Sequence, residues 1–187
     1  MNDFSLGPGV PVTHNVELYT ARLFIQGNIS GPFKRTSDLI NRKDRGFFNV
    51  GGASITPLGQ TTPPKQLQTT VMVGRPHIHF VATDPTLSAA QGGSLGAGRE
   101  YVIQKLPVSC YALTDTFILY GTCYLHHDST VESLVSAGEP FMPLTKVTIY
   151  LIARPAAPWQ REFIVVNKEK LEVIYLLDSP IPGTVQP

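Results

Sequence analysis

Leu23-Phe24-Ile25-Gln26-Gly27-Asn28-Ile29 and, 94 residues further on (121 − 27 = 94), Phe117-Ile118-Leu119-Tyr120-Gly121-Thr122-Cys123 read as one short strand written twice, with a glycine at the same place. At the same spacing Phe47 to Ile55 falls on Phe141 to Ile149. At a spacing one shorter (166 − 73 = 93), Val73 to Val81 falls on Val166 to Ile174. Few identities survive, but the apolar positions agree in all three blocks. The pattern from about Val16 to Pro85 therefore returns from about Cys110 to Pro180. A repeat this long exceeds a solenoid unit and implies a tandem of two small cored domains. The expected division is an N-terminal arm (1–13), a first repeat (14–85), a linker rich in Gly, Ala and Ser (86–104), a second repeat (105–180) and a tail (181–187).

Composition agrees with an all-β chain. Of 187 residues, 42% are apolar, enough for a core, and 16 prolines with 16 glycines favour short strands and many turns. The formal net charge of +1 provides no basic stripe for phosphates. Cys110 and Cys123 are the only cysteines, and the N-terminus lacks a basic-then-apolar leader, so buried reduced thiols and a cytoplasmic location are expected. No stretch approaches the roughly 20 apolar residues that span a bilayer.

Period-two alternation places strands at Val16–Leu18, Leu23–Ile29, Phe47–Pro57, Thr70–Val73 and Ile78–Val81 in the first repeat. The second repeat gives strands at Phe117–Cys123, Phe141–Ala153, Phe163–Val166 and Leu171–Leu177. Short helices are expected at Thr36–Asn41 and after Ser129, where Ser129-x-x-Glu132 reads as a capping box. A helical turn is expected between the last two strands of each repeat. A loop is expected from Arg154 to Gln160. Gly27 and Gly121 mark a bend or a close approach of backbones, with Gly121 the more buried. Five short strands, a bend in the second, a helix after it and a turn before the fifth describe a small barrel of SH3 or Sm type, present in two copies.

Three motifs carry a family resemblance: Arg35-Thr36-Ser37-Asp38-Leu39-Ile40-Asn41, Phe141-Met142-Pro143-Leu144-Thr145-Lys146-Val147 and Val166-Asn167-Lys168-Glu169-Lys170-Leu171. They are similar to the R-L-S-D-x-L-N, F-L-P-L-T-(D/N)-A and V-N-(K/R)-x-x-I patterns of an uncharacterised bacterial domain family. The resemblance covers most of each repeat. The first repeat departs from it at Gly74-Arg75-Pro76, and the second in the helix. It implies a fold and no chemistry.

His77 and His79, and the pair His126 and His127, are weak metal-ligand candidates, set against the simpler reading of a polar strand face. Ser129, Asp115, Asp128 and Glu132 lack an oxyanion-hole signature, and Gly92 to Gly98 lacks the Lys-Ser/Thr ending of a phosphate loop. No catalytic residue, metal or cofactor is assigned. Phe33, Arg35, Arg42, Lys43 and Arg45 gather charge beside an aromatic, a candidate nucleic-acid patch or a solvated loop face. Trp159, expected in a proline-rich loop, is folded onto a core or offered to a partner. The resulting expectation is a non-enzymatic protein-interaction or assembly module, binding a protein partner or associating with itself, without membrane insertion. The alternatives are an Sm-like nucleic-acid or nucleotide binder, and small-molecule or metal binding between the repeats.

Overall fold

The alternating segments pair as antiparallel strands because each has one apolar face to bury, and neighbouring strands satisfy the backbone N–H and C=O groups along both of its edges. The computed structural model describes residues 11–33, 35–42, 44, 46–59, 65–67, 69–83, 105–127 and 129–177. The N-terminal arm up to residue 10, the linker and the tail lie outside the described residues.

In chain order the elements are β1 (Val12–Thr20), β2 (Leu23–Gly31), α1 (Thr36–Ile40), β3 (Phe47–Pro57), β4 (Lys65–Gln66), β5 (Val71–Gly74) and β6 (Ile78–Thr83). They continue as β7 (Lys105–Leu113), β8 (Phe117–His126), α2 (Val131–Ser136), β9 (Phe141–Leu151), β10 (Arg154–Asn167) and β11 (Val173–Leu176). Single 3-10 turns, Arg75–His77 and Lys168–Lys170, join β5 to β6 and β10 to β11. The chain is all-β. Its strands form one antiparallel sheet in the order β11-β7-β8-β9-β10-β6-β1-β2-β3-β4, with β5 paired to β3. No helix among the described residues is long and apolar enough to cross a membrane.

The two halves are wired alike. In the first, β5 pairs with β3, β3 with β2, β2 with β1 and β1 with β6. In the second, β10 pairs with β9, β9 with β8, β8 with β7 and β7 with β11. Each hairpin between the first two strands closes on a threonine. The Thr20 hydroxyl accepts from the backbone N–H of Arg22 and Leu23 at 3.2 and 2.9 Å, and Thr114 accepts from those of Thr116 and Phe117 at 3.3 and 2.9 Å.

Three local expectations change. Thr130, not Ser129, caps α2, its side chain accepting from Ser133 N, because it is Thr130 that holds the extended backbone ahead of the first helical turn. Arg154 to Gln160 is strand: β10 starts at Arg154 and runs beside β9 with an irregularity before Trp159, where the prolines are accommodated. His77 lies in the 3-10 turn and is exposed, while His79 is buried in β6, so the two do not share a strand face.

Gly27 and Gly121 both sit where the register shifts by one residue against the following strand, at Gln26/Asn28 and at Tyr120/Thr122. The bulge lets β3 and β9 bend across β2 and β8, and the crossing leaves no room for a side chain. A Cβ on Gly27 would lie 2.8 Å from the Gly51 carbonyl oxygen. On Gly121 it would lie 3.0 Å from a Val147 methyl and 3.3 Å from the Thr145 oxygen. Gly121 is the more buried of the two and Gly27 the more crowded. The bulged strands have a left-handed residue at the matching place, Gly52 with φ 57° and Lys146 with φ 51°.

Two apolar clusters result, and both cross the boundary between halves. The cluster of the second half, around Phe117, Leu119, Leu144 and Ile149, takes in Tyr19, Phe80 and Ala82 of the first. That of the first half, around Leu18, Ile29, Phe48 and Ile78, takes in Phe141 and Val165 of the second.

Gly121→Val is expected to lower stability by about 1–3 kcal/mol through overpacking and bulge strain. Gly27→Val is expected to cost at least as much, since a backbone oxygen cannot move aside. Lys146→Gly is expected to gain about 1 kcal/mol by removing a Cβ from the left-handed region. Urea midpoints of the three variants check this; an unchanged midpoint for Gly121→Val would mean the crossing tolerates a side chain.

Candidate functional site

The two halves meet at the junction where β10 lies between β9 and β6. Ile164, Val165 and Val166 pair with Ala82, Val81 and Phe80, and every one of these six residues is buried. Phe141, at the start of β9, enters the core of the first half beneath the Arg75 guanidinium, which stands 5.2 Å from its ring centroid. Two asparagines fasten the contact. Asn41, at the C-terminal end of α1, accepts the Phe141 backbone N–H at 2.9 Å, and Asn167 Nδ2 donates to the Ile78 carbonyl at 2.9 Å. On the opposite side, Arg161 of β10 donates from Nε to Glu17 Oε2 at 2.6 Å and from Nη2 to Oε1 at 3.2 Å. The Tyr19 hydroxyl donates to the same carboxylate at 3.0 Å, and burial with the adjacent Glu17 charge pushes its pKa up.

Beside this ion pair runs an open groove of about 790 Å³ walled by amides, among them Asn15, Gln26, Asn28 and Gln160. It is broad, and the titratable groups that line it are Glu17, Arg161 and Glu162. Among the described residues no three His, Cys, Asp or Glu side chains come together as a metal site would require. Cys110 and Cys123 are buried and not joined. Their mutual contact and burial push the Cys110 thiol up, away from the reactive thiolate form.

The remaining sequence candidates are dispersed. Trp159 lies in β10 and packs on Tyr19 at 6.0 Å and edge-on to Phe117 at 6.4 Å, as part of the core periphery. Phe33 packs against the core of the first half and has the Arg42 guanidinium 5.6 Å from its ring centroid. Arg42 is itself paired with Asp44. Arg35 is exposed ahead of α1. Lys43 and Arg45 lie outside the described residues. His126 and His127 are exposed at the end of β8.

His79 is 1% exposed, contrary to a solvent-facing strand position. Its ring stands edge-on to Phe117 at 5.4 Å, and Nε2 lies 3.5 Å from the Asp115 carboxylate in the turn between β7 and β8. It is thus a first-half residue walled by the second half. Sequence reasoning also missed His14, buried on β1 beside the start of α1. Its Nδ1 is 3.0 Å from the Thr36 hydroxyl and its Nε2 is 2.9 Å from the Phe33 carbonyl oxygen, so it pins the segment leading into α1.

The free margins of the sheet complete the picture. Among the described residues β5 is paired only to β3, and β11 only to β7. Both carry exposed apolar side chains, Met72 on β5 and Val173 and Tyr175 on β11, and Phe47 is exposed beside β5 at the start of β3. No family model, curated protein or solved structure matches the chain. The likeness to an uncharacterised bacterial domain family rests on the quoted motifs alone.

Burial lowers the His79 pKa, and the nearby Lys170 lowers it further, against the opposing pull of Asp115. The folded protein therefore binds fewer protons at this site than the unfolded chain. Stability is expected to fall as pH drops through about 6.5, where the unfolded imidazole protonates, and to keep falling until the native one does. Urea midpoints at about pH 7.5 and about pH 5.5 should show this loss, and His79→Gln should reduce it. An identical loss in the variant would assign the pH dependence to other groups.

Proposed function

We propose that this chain is a non-enzymatic assembly module, a tandem of two small five-stranded barrels of SH3- or Sm-like strand order that self-associates through its strand edges. The matching wiring of the two halves supports the tandem: strand order fourth-third-second-first-fifth in both, with the same hairpin threonine, bulge and 3-10 turn. The observation that carries the function is the apolar margin. Soluble proteins guard their sheet edges with charge, proline or cover, because open N–H and C=O groups beside apolar side chains recruit further strands. Here β5, reading Val71-Met72-Val73-Gly74, and β11, reading Val173-Ile174-Tyr175-Leu176, contain no charged residue. Beside the junction, the polar groups of Glu17, Tyr19 and Arg161 are tied to one another.

A nucleic-acid-binding reading draws on Phe33, Arg35, Arg42, Lys43 and Arg45 of the first half, of which Lys43 and Arg45 lie outside the described residues. Arg42 stands over the Phe33 ring and is paired with Asp44, so these two side chains already engage each other.

Sedimentation velocity over a concentration series is expected to show species larger than the 20.4 kDa chain, growing with concentration. A single 20.4 kDa species throughout would overturn the assembly reading.

A further inference from the structure

We propose that molecules of this protein join head to tail, the β5 edge of one pairing antiparallel with the β11 edge of the next, in the register that already joins the two halves within the chain. The inference rests on the assembly reading above and specifies its joint.

The argument compares equivalent positions. At a spacing of 93 (168 − 75 = 93, from the first residues of the two 3-10 turns), β10 residues Ile164, Val165 and Val166 correspond to Val71, Met72 and Val73. By the same spacing β6 residues Phe80, Val81 and Ala82 correspond to Val173, Ile174 and Tyr175. The internal junction uses the outer edge of the second half's fourth strand and of the first half's fifth strand. The first half's fourth strand, β5, and the second half's fifth strand, β11, are the same two edges, one at each end of the molecule. Carrying the internal register outward places Val71 opposite the next molecule's Tyr175, Met72 opposite its Ile174 and Val73 opposite its Val173.

Exposure follows the same correspondence. Val165, Phe80 and Phe141 are 0% exposed and Ala82 is 1% exposed, all buried by the internal junction. Their equivalents Met72, Val173, Phe47 and Tyr175 are 65, 42, 55 and 46% exposed. Half of the large apolar residues exposed among the described residues are thus positions that the internal junction covers in the other half. Facing also agrees. Val165 and Val81 both point into the first half's core, while Phe80 and Ala82 point into that of the second. By equivalence Met72 would enter the next molecule's second-half core beside Ile174, and Val173 and Tyr175 would turn toward the first-half core of the molecule donating β5. Phe47 would take the place of Phe141, with Lys168 where Arg75 stands.

The outer joint lacks the asparagine fasteners. Asn41 corresponds to Val135, which is exposed on α2, and Asn167 corresponds to Gly74. Without those two hydrogen bonds, and without a covalent link, the outer joint is weaker than the inner one and opens on dilution. Because it joins unlike surfaces, repetition of the joint builds a ring if the rotation closes and a helical filament if it does not.

The test uses two variants at exposed positions, Met72→Glu and Val173→Glu, each checked for the parental circular dichroism and urea midpoint. Each blocks one end, so each alone is expected to be monomeric where the parent associates. Mixed in equal amounts they are expected to form a one-to-one dimer and nothing larger, because one intact β5 edge meets one intact β11 edge. As a measurement independent of those charges, Met72→Cys mixed with Ile174→Cys under mild oxidation should give a disulfide between positions 72 and 174 of different molecules. A parent that stays monomeric overturns both the assembly reading and the joint. A parent that associates while either Glu variant still does so alone, while the mixture stays monomeric, or while the cross-link joins like positions, overturns the joint and leaves assembly standing. If a Glu variant does not fold, the cross-link decides.

Discussion

The antiparallel pairing of β10 with β6 is the contact on which the rest of the structure depends. Three residue pairs, Ile164–Ala82, Val165–Val81 and Val166–Phe80, turn two short meanders into one sheet. Each half is too small to bury its apolar content well by itself, since the fraction of surface removed from water falls with domain size. Lending Phe141 and Val165 to one core and Tyr19, Phe80 and Ala82 to the other enlarges both. Burial at this junction also fixes register, because a slip of one residue would send Phe80 and Val81 to the wrong cores.

Polar groups at the junction specify rather than drive it. The Asn41 and Asn167 bonds each satisfy a backbone group that the sheet would otherwise leave open, and Arg161 meets Glu17 in a two-pronged, partly buried pair. Such contacts add modest net stability but make alternative pairings expensive. His79, edge-on to Phe117 and close to Asp115, both of the second half, belongs to the same set.

Much of the architecture was legible because it is local. The alternation marked most of the strands, though not β7, which precedes the first strand expected in the second repeat. Gly27 and Gly121 marked the crossings, because a glycine shared at one strand position signals a steric exclusion that acts within a hairpin and its neighbour. Thr20 and Thr114, spaced 94 apart (114 − 20 = 94), carry the same information for the hairpin turns. Lys146 hid the second bulge because a lysine at φ 51° is unusual, whereas its counterpart Gly52 is the residue that such a conformation favours. The proline-rich stretch before Trp159 read as loop, yet it runs as the early part of β10, where irregular pairing tolerates residues without an N–H.

The sequence by itself determined that two similar sets of strands exist, where each bends, and which residues on each strand are apolar, since these follow from period, glycine sterics and side-chain type. It did not determine which edges meet. Phe47 and Phe141 begin equivalent strands with the same residue, yet one is 55% exposed and the other 0%. Met72 and Val165 are likewise equivalent, and only the second is covered. Nothing in the local pattern separates the members of these pairs. Their fates differ because the fourth strand of the second half has the fifth strand of the first beside it, and the fourth strand of the first has no such neighbour among the described residues. That adjacency is a property of how the two halves are placed in space, and it decides which apolar side chains are core and which remain at the margin.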